Sequence, residues 1–169
     1  MGHRDDLARL TPALRRFASA LIPREGSGPN DAAAEMVHRT LALALKTGRQ
    51  PAADQLRIWL YTTLIHLNQA RLQALSEAGG APPASPAPRS QGVNQALLEL
   101  PLSDREALLL VVIEGFTYAQ SAEILGISRA TLVCRIARAR ALLGQHLDAA
   151  LPFGARRHLR QPNHLRLVK

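Results

Sequence analysis

Residues 100–143 read LPLSDREALLLVVIEGFTYAQSAEILGISRATLVCRIARARALL, and this stretch decides the fold. It predicts a helix, a second short helix, a tight turn at Gly126 and a third helix loaded with arginine. Ser128 is a good N-cap for the third helix, because its hydroxyl accepts a bond from a backbone N–H that the first turn leaves orphaned. From there Leu132, Ile136, Ala139 and Leu143 recur at helical spacing and form one apolar stripe, flanked by Arg129, Arg135, Arg138 and Arg140. A scaffold helix, a glycine turn and an arginine-bearing helix make a helix-turn-helix, whose last helix enters a DNA major groove. An ordinary helical hairpin with a solvated basic face is the bland alternative.

Charge supports a nucleic-acid partner. The chain has 169 residues and a formal net charge of +8, from 21 Lys and Arg against 13 Asp and Glu. Excess positive charge attracts phosphate, and guanidinium groups bind phosphates and guanine edges in pairs of hydrogen bonds. The charge is unevenly placed: residues 1–75 are net +4, 93–144 are neutral and 145–169 are net +4. Within the neutral block every acid precedes Ser128 and four of five arginines follow it, so the positive field gathers on the third helix. A lone cysteine, Cys134, excludes an internal disulfide and a multi-cysteine zinc site. The opening MGHRDDLARL carries charge where a signal peptide needs an apolar run, and no apolar stretch reaches the roughly 18 residues of a membrane span. The expectation is a cytoplasmic protein without membrane insertion.

Residues 76–92, SEAGGAPPASPAPRSQG, break the helical pattern with four prolines and a glycine pair, and read as a linker. The expected fold is all-α: two small helical domains joined by this Pro/Gly-rich segment, the C-terminal one a helix-turn-helix. Helices are expected near 3–21, 30–46 and 52–75, the last as one or two segments, and then near 93–99, 103–114, 118–125 and 129–147. The domains are 1–75 and 93–150, and 151–169 is a basic tail.

The wording of the C-terminal block resembles the DNA-binding domain of the extracytoplasmic-function sigma factors of bacterial RNA polymerase. Leu100-Pro101 leads to Arg105-Glu106-Ala107, then Glu114-Gly115-Phe116-Thr117-Tyr118, then Ala122-Glu123-Ile124-Leu125-Gly126-Ile127-Ser128. Thr131-Leu132 and Arg135-Ile136-Ala137-Arg138-Ala139-Arg140 complete the match. The resemblance implies that Ser128, Arg129, Thr131, Arg135, Arg138 and Arg140 face the −35 element. Arg129, Thr131 and Arg135 are expected near base edges, and Arg138 and Arg140 on phosphates or in pairs with Glu106 or Glu114. Val133-Cys134 stands where the family favours a lysine and a serine. Cys134 falls about 160° from the apolar stripe and is expected to be exposed.

Residues 1–75 resemble the partner domain of the same family, more faintly. Leu14-Arg15-Arg16-Phe17-Ala18 is similar to its opening helix, and Ala34 to Leu41 to its polymerase-binding helix. That likeness puts Asp31, Glu35, His38 and Arg39 against polymerase, opposite Ala34, Val37, Leu41 and Leu45. Leu56-Arg57-Ile58-Trp59-Leu60-Tyr61-Thr62 is similar to the segment that opens and reads the −10 element, implying roles for Tyr61, His66, Asn68 and Arg71. Trp59 shares a stripe with Leu56, Leu60, Thr63 and Leu67 and reads as a core anchor, whereas Tyr61 falls off it and is the better base-stacking candidate. Asp31 and Glu35 replace the family's consecutive acids, and Ile65 and Ala70 stand where charged groups are usual.

The six histidines show no shared metal spacing, and no phosphate-cradling loop or catalytic constellation is present. No metal, cofactor or enzymatic activity is expected. The resemblance implies a sigma factor of the general-stress-like group, with core RNA polymerase, promoter DNA and an anti-sigma factor as partners. Two other readings are a sigma mimic that binds an anti-sigma factor and a plain helix-turn-helix regulator.

Overall fold

The computed structural model describes residues 3–23, 31–47, 52–79 and 93–150, which form helices and their connecting turns with no strand among them. Three long helices come first: α1 His3–Leu21, α2 Ala32–Thr47 and α3 Ala53–Glu77. Two short ones follow, α4 Val93–Glu99 and α5 Leu102–Leu108; α5 runs directly into a π-helical turn, Leu109–Ile113. The helix-turn-helix is α6 Tyr118–Leu125 and α7 Arg129–Ala150. The segment expected as a linker begins inside α3, and its residues 80–92 lie outside the described residues, as does the tail 151–169.

Each long helix buries one stripe. In α1 it is Leu7, Leu14, Phe17, Ala18 and Leu21, with Asp5 and Asp6 in the first turn, where the helix dipole favours acids. Pro12 interrupts the ladder from the exposed side, and the Thr11 hydroxyl donates to the Leu7 carbonyl at 2.7 Å. In α2 the stripe is Ala33, Met36, Val37, Thr40 and Ala44. This corrects the expected one: Ala34 and Leu45 face solvent, because the helix sits about one residue out of the assumed phase. Thr40 is accommodated in that stripe by donating its hydroxyl to the Met36 carbonyl at 2.8 Å. Helix α3 is one continuous piece whose buried side carries Leu56, Leu60, Tyr61, Leu64, Ile65 and Asn68.

The segment after α5 departs most from a plain helix. Over Leu109–Ile113 the ladder widens, so that the Glu114 N–H bonds the Leu109 carbonyl five residues back at 3.1 Å. Leu108, Leu109 and Leu110 are all buried, whereas Val112 and Ile113 turn outward. Gly115 then takes φ +68°, and the chain reverses to bring Phe116 back into the core. The expected helix 103–114 therefore ends in a widened turn that an unbroken apolar run conceals.

Helices α1, α2 and α3 pack on one another, and α4, α5 and α6 pack on α7. The two groups also meet: α3 lies against α6, and α1 against α4, α5 and the π turn. One apolar core runs through both, from Leu7 to Ala139.

The helix-turn-helix is fastened at each end by local hydrogen bonds. Thr117 and Gln120 form a reciprocal capping box at the start of α6, with bonds of 3.2 and 3.0 Å. At its end the Gly126 N–H reaches the Glu123 carbonyl and the Ile127 N–H the Ala122 carbonyl, closing a Schellman turn at φ +62°. Nothing lies within 4 Å of a Cβ added at Gly126, so a side chain there meets only backbone strain. Gly126→Ala should thus cost about 1–2 kcal/mol in urea unfolding, and Gly126→Asn visibly less. Equal stability for the alanine variant and the parent would show that the left-handed turn is not required.

Candidate nucleic-acid interface

The turn delivers α7 with its first residues outward. Ser128 caps it: the hydroxyl oxygen accepts from the Thr131 N–H at 3.1 Å and lies 2.8 Å from the Thr131 hydroxyl. Leu132, Ile136 and Ala139 are buried as expected, and this fixes the rotation of the helix. Arg129, Thr131, Cys134, Arg138 and Arg140 are consequently exposed and Arg135 is half-buried. The first three turns of α7 carry three guanidinium groups, Arg129, Arg135 and Arg138, and the Thr131 hydroxyl, groups of the kind that meet base edges and phosphates in a major groove.

Arg138 is tied to the scaffold. Its Nε and one Nη donate to the two carboxylate oxygens of Asp104 at 2.5 and 2.6 Å, and the Asp104 side chain is fully buried. This bidentate bond, more than the charge, raises the Arg138 pKa. The intramolecular partner is thus Asp104 in the first turn of α5, in place of the expected Glu106 or Glu114, and the Arg138 side chain stays exposed. His146 adds a second tie, its Nδ1 lying 2.7 Å from a Glu99 carboxylate oxygen on α4.

The acidic run of α5 is not solvated. Asp104, Arg105 and Glu106 are all buried. Burial pushes the Glu106 carboxyl up to about 7, against the opposing pull of a hydrogen bond from Gln69 and the charges of Arg135 and Arg105. Burial likewise lowers the Arg105 guanidinium pKa.

The −10 candidates on α3 divide. His66 is exposed and Arg71 half-buried. Tyr61, expected to stack on an open base, is instead completely buried, and Asn68 is 1% exposed. The Tyr61 ring meets Phe17 and Phe116 edge-on, with centroids 5.1 and 5.0 Å away, and its hydroxyl donates to the Glu114 carboxylate. Burial first, then the bond to Glu114, raises the Tyr61 pKa. The buried face of α3 is wider than the expected stripe of Leu56, Trp59, Leu60, Thr63 and Leu67, and Trp59 is only half-buried. What the wheel omitted is a second neighbour: the helix packs against α2 on one side and α6 on another.

Arg57 was not among the expected site residues, yet it joins this cluster. It donates to the Glu114 main-chain carbonyl, and its guanidinium carbon lies 4.0 Å from the Phe116 ring centroid. On α2, Glu35, His38 and Arg39 share an exposed face, while Asp31 accepts the Ala33 N–H at 3.1 Å as an N-terminal cap. No cluster able to hold a metal ion occurs among the described residues, and no helix there is long and apolar enough to cross a membrane.

A family model described as sigma-70, region 4 matches residues 90–143. The ECF RNA polymerase sigma factor EcfG of Rhodopseudomonas palustris (strain TIE-1) is 34% identical over 167 residues, covering 89% of each chain. In the complex of the sigma factor RpoE with the anti-sigma factor NepR from Bartonella quintana, one chain superposes with a TM-score of 0.70. That chain is 27% identical, and the match covers 86% of the present chain and 96% of it. The PhyRSL–NepR complex from Sphingomonas sp. Fr1 contains a chain of the same fold, with TM-score 0.65 and 23% identity over 90% of this chain and 94% of that one.

The Glu106 environment has a measurable consequence. A carboxyl with a raised folded-state pKa stabilises the fold below its unfolded value of about 4.5 and loses that contribution as pH rises through about 7. The melting temperature of Glu106→Gln minus that of the parent should therefore grow between pH 5 and pH 8 by a few degrees, on the order of 1 kcal/mol. A constant difference across that range would place the Glu106 carboxyl in an ordinary, solvated environment.

Proposed function

The chain belongs to the extracytoplasmic-function sigma factors of RNA polymerase, and from that membership we propose that it recruits the polymerase to promoters whose −35 element is read by α7. The family is not an enzyme class, and the chemistry of transcription resides in the polymerase. The observation that carries the reading is the outward-facing start of α7, where Arg129, Thr131 and Arg135 lie on a helix whose rotation is set by burial and by the Asp104–Arg138 bond.

Roles are assigned along the chain on that basis. Residues 93–150 are the −35-binding domain, with Arg129 and Arg135 reading base edges and Arg140 neutralising phosphate. Residues 1–75 are the polymerase- and −10-binding domain. Glu35, His38 and Arg39 form its docking face on α2, Asp31 supports that face by capping the helix, and His66 and Arg71 lie toward the open strand. An anti-sigma factor of the kind seen with the Bartonella protein is the proposed partner, and membership of a general-stress-like group is proposed with it; the likeness to that sigma factor supports both.

Run-off transcription with core polymerase tests the reading, and the arginines give it resolution. Arg135→Ala should relax sequence preference in the −35 element, with discrimination falling by about 1–3 kcal/mol at one base pair. Arg140→Ala should weaken every sequence alike and reduce the salt slope of binding by about one. Arg138→Ala should act mainly through stability, lowering the melting temperature more than either of the others. Absence of transcription from every promoter tested, with anti-sigma binding intact, would turn the assignment toward a sigma mimic.

A further inference from the structure

Two carboxylates of the C-terminal group of helices reach across to the helix expected to hold the open −10 strand. Glu114 accepts the Tyr61 hydroxyl, and about two turns further along α3, Glu106 accepts a hydrogen bond from Gln69. The Glu114 carbonyl also accepts from Arg57, whose guanidinium carbon lies 4.0 Å from the Phe116 ring centroid and 5.9 Å from that of Tyr61. Asn68 is enclosed between these two points and is 1% exposed. An extruded base needs an accessible ring face and unoccupied polar groups. In this arrangement the Tyr61 hydroxyl is engaged by Glu114, and the ring is completely buried with Phe17 and Phe116 packed against it in T-shaped pairs.

We propose that the Glu114–Phe116 loop is an autoinhibitory latch, occupying Tyr61 and Arg57 while the two helical groups are closed and yielding them to single-stranded DNA when they separate. The inference rests on the sigma-factor reading and assigns this chain's own loop to the control of its −10 surface. Its geometry follows from the turn: the π-helical widening brings Glu114 inward, and Gly115 at φ +68° folds Phe116 back beside it. Both bonds to α3 are directional and polar, so separation returns their groups to water, while it also opens the apolar core that the two groups share and so needs a partner or DNA to offset that cost. Closure and strand binding compete for the same side chains.

The chain has two tyrosines, and Tyr118 is 38% exposed, so tyrosine nitration carries an internal reference. In the wild-type protein tetranitromethane should modify Tyr118 and spare Tyr61, as read by peptide mass spectrometry. Glu114→Ala should raise nitration of Tyr61 relative to Tyr118 about tenfold, the worth of one buried bond to a charged group. The same variant should bind short, fluorescein-labelled, mixed-sequence single-stranded DNA about tenfold more tightly. Glu114→Gln keeps the volume and an acceptor oxygen; it should give an intermediate effect on both and provides the reading if the alanine variant does not fold. Equal reactivity of the two tyrosines in the wild type would overturn the latch, as would a rise in Tyr61 nitration with no gain in strand binding. If both changes occur but no form supports run-off transcription, the sigma-factor reading fails and the latch stands.

Discussion

A fully buried carboxylate at Asp104 can exist only with a partner, and the guanidinium of Arg138 supplies it through two parallel bonds. That requirement governs the C-terminal group of helices. The pair joins the first turn of α5 to the middle of α7, and the direction in which α7 can lie across α5 is set where the fork meets the carboxylate. Leu132, Ile136 and Ala139 then face inward by periodicity, and Arg129, Thr131 and Arg140 face out by the same count. Apolar burial alone would tolerate some rotation about the α7 axis. A bidentate bond tolerates very little.

The helix-turn-helix was legible because each of its parts has a local cause. Ser128 caps, Gly126 takes the left-handed turn, and the leucine and isoleucine spacing defines one stripe; each follows from neighbours within four residues. The capping box of Thr117 and Gln120 is equally local and is present in the T-x-x-Q spacing. What could not be read from spacing were groups whose environment comes from distant segments. Tyr61 looked exposed on a helical wheel because a wheel shows one buried face, whereas α3 has neighbours on two sides. The burial of Asp104, Arg105 and Glu106 likewise depends on segments distant in the chain. Arg57, from the N-terminal half, acquires its role only through a loop 57 residues away.

Charge, too, acts differently once placed in space. Along the chain the acids precede Ser128 and the arginines follow it, a separation that suggested a positive helix free to meet phosphate. In the folded protein part of that acidic run is drawn under α7, where Asp104 holds Arg138 and Glu106 lies near enough to Arg135 to feel its charge. Arg138 stays exposed but is paired, so its charge is largely neutralised and fewer arginines are free for phosphate than the sequence count. Reduced charge favours discrimination over grip, since phosphate attraction is blind to sequence and base-edge contacts are not.

The widened turn at Leu109–Ile113 carries a different kind of information. Five residues close a loop that four would close in an ordinary helix, so the segment holds one residue more than its neighbours' geometry accounts for. Since each residue advances a helix by about 100°, that surplus rotates everything after it by more than a quarter turn. Glu114 and Phe116 owe their inward positions to this offset. The segment is thus a phase shift written in leucine and valine: its composition can drift among apolar residues of similar bulk, but its length cannot change by one without pointing the following loop elsewhere.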